Sequence, residues 1–112
     1  MTVSEVIAAG RRLVSDSVAP YRWTDAVMQG FVIQAIREAI RMRPSVMYVS
    51  GISTTYTEPS VLTQNVGLVT SAEDALAYYL AYKCLSEDAE NSVNLSLAGM
   101  NYQEFKTRIK TA

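Results

Sequence analysis

Apolar residues recur at steps of three and four over four stretches of this chain, and between the second and third the pattern changes to one that suits extended backbone. Val3, Val6, Ile7, Leu13 and Val14, with Gly10 among them, predict an amphipathic helix over 3–16 that Thr2 or Ser4 can cap. Asp16, Ser17, Ala19 and Pro20 break the pattern, and Thr24 with Asp25 restarts it as a capped helix running to about 43. Val27, Met28, Phe31, Val32, Ile36, Ala39 and Ile40 lie on one stripe of that helix, with Arg37, Glu38 and Arg41 outside it. Pro44 ends it, because proline disfavours the α conformation in the residue before it. Ser71 and Asp74 have the spacing of a capping box and predict the start of a third helix. Its centre, ALAYYLAY at 75–82, is apolar on nearly every side, so the third helix is expected to be surrounded by the others. A fourth follows SEDAE, with Val93, Leu97, Met100, Phe105 and Ile109 as its apolar positions. Glu87, Asp88 and Glu90 gather at its expected start and Lys106, Arg108 and Lys110 at its end, a polarity that complements the helix dipole.

The stretch between the second and third helices, SVMYVSGISTTYTEPSVLTQNVGLVT at 45–70, carries one charged side chain, Glu58. A connection that long inside a small domain is uncommon and, when ordered, usually functional. Its Val, Ile, Thr and Tyr content favours extended structure, and Gly51, Glu58-Pro59 and Asn65 to Gly67 supply turns. The expected fold is therefore mainly α: a single domain over 1–112, a four-helix bundle with a long β-prone insertion, a short hairpin or arm, over 45–70. An apolar strand edge needs cover from another chain. Tyr48, Ile52, Tyr56 and Leu62 are accordingly the first candidates for a contact with a neighbouring subunit.

Composition narrows the chemistry. Hydrophobic residues make up 49% and charged residues 19% of the chain, as in ordinary globular domains. The longest near-apolar run is too short to cross a bilayer, and MTVSEV lacks the basic and apolar regions of a secretion signal, so no membrane partner is expected. With one cysteine, Cys84, and no histidine, the chain has no intrachain disulfide, Cys/His zinc site or His-based nucleophile arrangement. Its five glycines form neither GxGxxG nor a phosphate loop. The acids at 87–90 have the spacing of no standard calcium loop. No enzyme activity, metal or cofactor is expected. Cys84, near the end of an apolar helix, reads as a small buried hydrophobe.

Arg37 and Arg41, one turn apart with Arg43 close by, admit three readings: a solvated face partly neutralised by Glu38, a subunit interface, or a DNA-recognition helix over 34–43. A net charge of −1 argues against the last. Tyr21 and Trp23, flanking Arg22, suit either a staple on the incoming chain or an exposed anchor for another subunit. Residues 1–44 hold six arginines and four acids, whereas 71–112 hold four basic residues and six acids, an asymmetry that pairing between subunits can use.

Asp16, YRWTDAVM at 21–28, AIREAIRMRP at 35–44, ALAYYLAYKCLSEDAE at 75–90 and a last helix closing with Phe105 together resemble the head–tail adaptor (connector) proteins of tailed bacteriophages. The resemblance covers the helical parts. Ile33 stands where such proteins often have asparagine, and the segment after Arg43-Pro44 differs from theirs in length and composition. The resemblance implies a non-enzymatic, mostly helical virion subunit at the head–tail interface. Copies, commonly twelve, form a ring beneath the portal protein, extend the DNA channel and offer a platform to tail or nozzle proteins. Genomic DNA would pass through the lumen without sequence-specific binding. The interface residues expected on this basis are Tyr48, Ile52, Tyr56, Leu62, Arg37, Arg41 and Trp23. A small helical DNA-binding regulator and a helical interaction module unrelated to phages, which binds a partner by strand addition over 45–70, are the alternatives.

Overall fold

Thr2 begins the first helix as the spacing predicts. Its hydroxyl accepts from the Glu5 N–H at 3.1 Å while the Glu5 carboxylate accepts from the Thr2 N–H at 2.9 Å, a complete capping box. A computed structural model describes residues 1–16, 21–47, 56–87 and 92–112, without the side chains of Ser92 and Val93. Four helices account for most of the described chain: α1 (Val3–Leu13), α2 (Asp25–Met42), α3 (Thr70–Glu87) and α4 (Ser92–Lys110), with one 3-10 turn at Pro44–Met47. The mainly α class holds. α1 is shorter than expected because Ser15, at φ 57°, turns left-handed and lets the Asp16 N–H close on the Arg11 carbonyl at 2.9 Å. α3 opens one residue before Ser71, so the expected Ser71 cap is not formed; the Ala72 and Glu73 N–H groups bond the Val69 carbonyl instead. α3 also runs on through Glu87, which closes this helix rather than opening the next.

α3 is the central element and packs against all three other helices, most extensively α4. Ala75, Leu76, Leu80, Ala81 and Cys84 are buried on different sides of it, as the all-round apolar pattern requires. Against α4 the contact is aromatic: Tyr79 meets Phe105 edge-on with centroids 5.0 Å apart, and Tyr82 stacks on Tyr102 at 4.5 Å. Against α1 it is close backbone approach, since a Cβ at Gly10 would lie 2.9 Å from that of Leu80. Val3, Val6 and Ile7 from α1, and Met28, Val32, Ala35 and Ile36 from α2, complete the core.

The insertion is where sequence and structure part. No strand occurs among the described residues; an isolated antiparallel bridge joins Thr2 and Asn65. Residues 56–69 form a strap over the first helical turn and the side of α2. Val3 and Ser4 donate their N–H groups to the Gln64 and Leu62 carbonyls at 3.0 and 2.9 Å, and Val66 donates to the Met1 carbonyl at 3.0 Å. Gln29 reaches the Ser60 carbonyl at 2.9 Å, and the Tyr56 hydroxyl donates to the Val66 carbonyl. Val46, Val66 and Leu68 are buried in the protein's own core, and the Val69 N–H closes the base of the excursion on the Val46 carbonyl at 2.9 Å. The expected 26-residue β-prone arm is thus corrected for its described parts. Its apolar residues are anchors for a strap, and Gly67 at φ 75° breaks the alternation a strand needs. Residues 48–55, with Tyr48 and Ile52, lie outside the described residues.

Two glycine substitutions separate packing from propensity. Gly30→Ala, in mid-helix with nothing within 4 Å of the added Cβ, should stabilise by about 0.5–1 kcal/mol. Gly10→Ala should destabilise by about 1–2 kcal/mol despite the same propensity gain, because α1 must move off Leu80. Urea denaturation followed by circular dichroism at 222 nm measures both; equal shifts of the two midpoints would contradict the close approach of α1 and α3.

Candidate interaction surfaces

The joint between α1 and α2 is built around Arg11, which is only 4% exposed. One guanidinium nitrogen donates to an Asp16 carboxylate oxygen and to the Trp23 carbonyl, both at 2.7 Å, and the other donates to Asp25 at 2.8 Å. The Tyr21 ring stacks over the group at 3.9 Å. Asp16 in turn accepts from the Arg22 N–H at 2.8 Å and the Trp23 N–H at 3.4 Å. Thr24 then caps α2 by accepting from the Val27 N–H at 3.3 Å. Trp23 is partly buried against the core with the Arg22 guanidinium 5.0 Å from its ring, which matches the staple among its sequence readings. The network was missed from sequence. Its available signal was an arginine on the buried side of α1, five residues before an aspartate.

The remaining expected contact residues are spread over the strap and α2. Arg37 grips Glu58 with two hydrogen bonds, at 2.7 and 3.1 Å, so α2 and the strap hold each other at the surface. That bond holds the Glu58 carboxyl below its usual range and raises Arg37. Arg41 pairs with Glu38, which also accepts from the Tyr102 hydroxyl at 3.2 Å. Arg43 donates to Ser45 at 3.2 Å and to the Lys110 carbonyl at the end of α4. Tyr56 and Leu62 are partly buried against their own core.

Leu97 and Met100, read from spacing as core positions, are instead on the surface. The wall of α4 turned to α3 is formed by Ala98, Phe105 and Ile109, and the outward side carries Ser96, Gly99, Met100, Gln103, Glu104 and Thr107 along a shallow groove. Leu95, Leu97 and Met100 are 51, 40 and 67% exposed, and residues 92–103 contain no charged side chain. A three- and four-residue recurrence does not say which side of a helix meets the core when both sides are uncharged.

No protein-family model, curated protein or solved structure matches this chain. The chemistry must therefore be read from the residues themselves. Among the described residues no three metal-ligating side chains cluster, and no helix is long and apolar enough to cross a membrane. Cys84 is fully buried with its sulfur 3.5 Å from that of Met28, and burial pushes its thiol up to about 12. Burial likewise pushes the Tyr56 phenol up to about 12, with the Glu58 charge adding to the shift.

Both groups fold in their neutral forms. Above pH 9 the unfolded chain releases protons that the folded chain keeps, so the stability these groups contribute is lost as pH rises from about 9 toward 12. Urea denaturation across that interval should show stability falling by up to about 1.4 kcal/mol per pH unit for each group titrating. Tyr56→Phe and Cys84→Ala should each flatten the slope; a slope unchanged in both variants would contradict the burial of the two groups. At pH 8 Cys84 should react with a thiol reagent only after unfolding.

Proposed function

We propose that this protein is a structural virion subunit, a head–tail adaptor that forms a ring beneath the portal, extends the DNA channel and offers a platform to tail components. The observation that carries the reading is the 92–103 stretch of α4, which has no charged side chain and leaves Leu95, Leu97 and Met100 exposed. Contact surfaces that become buried lose charge and gain methionine at their centre. Three large apolar side chains left exposed within six residues of one helix are a signal of a partner. The resemblance in the order of Asp16, YRWTDAVM, AIREAIRMRP and ALAYYLAYKCLSEDAE supports the same reading. Asp16, Trp23 and Asp25, which belong to it, are the residues that Arg11 ties together.

In this reading the subunit acts by packing, with no catalytic step, metal or cofactor. Copies meet through unlike surfaces and close into a ring when the rotation between them permits. Genomic DNA passes through the lumen without being read, and assembly in the host cytoplasm places the protein at the virion's head–tail interface. Tyr48, Ile52, Tyr56, Leu62, Arg37, Arg41 and Trp23 remain proposed contributors to contacts with neighbours or the portal. The recognition-helix alternative over 34–43 is weakened, because Arg37 and Arg41 are tied to Glu58 and Glu38.

The test is the native mass of the protein, alone and mixed with the portal protein of the same genome. A ring, or a complex formed once portal is present, is the expected result. Met100→Lys should leave the helical circular dichroism signal intact and reduce assembly at least tenfold. A wild-type protein that neither self-associates nor binds portal would overturn the adaptor reading, as would a dimer that binds DNA sequence-specifically.

A further inference from the structure

Ser4, Ala8 and Arg12 recur every four residues and so share one side of α1, next to the stripe that holds Ile7 and Arg11. Short side chains at Ser4 and Ala8 leave a hollow where α1 meets the entry to α2. These residues, with Tyr21 and Asp25, line a cavity of about 350 Å³, at the small end of the range for pockets that hold small molecules. Ile7 and Ala8 supply an apolar wall, and the Tyr21 ring, 3.9 Å from the Arg11 guanidinium, supplies a flat one.

Arg11 enters this cavity with donors to spare. A guanidinium has five N–H groups, and the bonds to Asp16, the Trp23 carbonyl and Asp25 use two on Nη1 and one on Nη2. The Nε–H and the second Nη2–H make no hydrogen bond among the described residues. No buried side-chain nitrogen or oxygen among those residues lacks a partner, so on a side chain this enclosed the unbonded Nε opens to the cavity. Asp25 bonds Arg11 through one carboxylate oxygen and leaves the other unbonded among the described residues. An unused donor and an unused acceptor thus stand next to each other. The charges lining the cavity, Arg11, Arg12 and Asp25, together with Asp16 bonded behind Arg11, sum to zero.

We infer that this cavity binds a small neutral ligand that presents a carboxamide, its carbonyl accepting from Arg11 and its N–H group donating to Asp25. A carboxylate would meet the free oxygen of Asp25, and a cation would meet the free edge of Arg11, each a like charge left without a partner. A group that carries an acceptor and a donor together satisfies both sides. Planarity suits the amide to the Tyr21 wall. The site is independent of the adaptor reading, because none of its contacts uses the exposed part of α4.

Benzamide, benzoate and benzamidinium share one flat shape and differ in charge, and NMR shifts of the isotope-labelled full chain read their binding. Benzamide should move the Arg11 Nε–H signal and the Ala8 and Tyr21 amide signals saturably, with benzoate and benzamidinium bound about tenfold more weakly. Ala8→Leu fills the cavity from an exposed position and should abolish these shifts with the circular dichroism signal unchanged. Asp25→Ala should weaken benzamide about tenfold by removing its acceptor. No saturable shift with benzamide, or shifts that survive Ala8→Leu in a folded variant, would overturn the site. Tighter binding of benzoate, reduced by salt and by Arg12→Ala, would overturn the carboxamide assignment in favour of an anion. Tighter binding of benzamidinium would overturn it in favour of a cation held by Asp25.

Discussion

The buried pairing of Arg11 with Asp16 is the constraint on which the arrangement of the helices depends. A guanidinium taken out of water is costly unless its donors are met, and the three acceptors it bonds, Asp16, the Trp23 carbonyl and Asp25, all come from a single stretch, 16–25. The same two residues also close α1, since the Asp16 N–H bonds the Arg11 carbonyl while its carboxylate bonds the Arg11 side chain. α1 therefore stops at one residue, the chain leaves in one direction, and α2 starts against α1 with its cap in place. Apolar burial alone would hold these helices together without fixing the joint.

That joint allows the rest of the core to be simple. With α1 and α2 set relative to one another, α3 enters the space between them and α4 largely on apolar contact, with Ala and Gly where backbones approach and rings where they stand apart, while its buried Glu73 meets the Met1 ammonium at 2.8 Å. The strap then finishes α1. Its carbonyls accept N–H groups from the first helical turn, groups that have no partner within a helix. A segment that looks superfluous to a four-helix domain thus caps one helix, and through Glu58 and Ser60 it braces a second.

The helices, the Thr2 and Thr24 caps and the central place of α3 were legible in the sequence because period, cap and breaker all agreed. The strap was not. Val46, Val66 and Leu68 have the composition of a strand, but their burial depends on where residues 1–4 and α2 lie, and local pattern carries no such information. Arg11 was hidden for a related reason: at a helix end an arginine reads as a dipole partner or a solvated side chain, and only the fold brings Asp16 and the Trp23 carbonyl to it. On α4 the pattern was correct and the side was not. Phe105 and Ile109 point inward while Leu97 and Met100 point out, and no charged residue between 92 and 103 marks the difference.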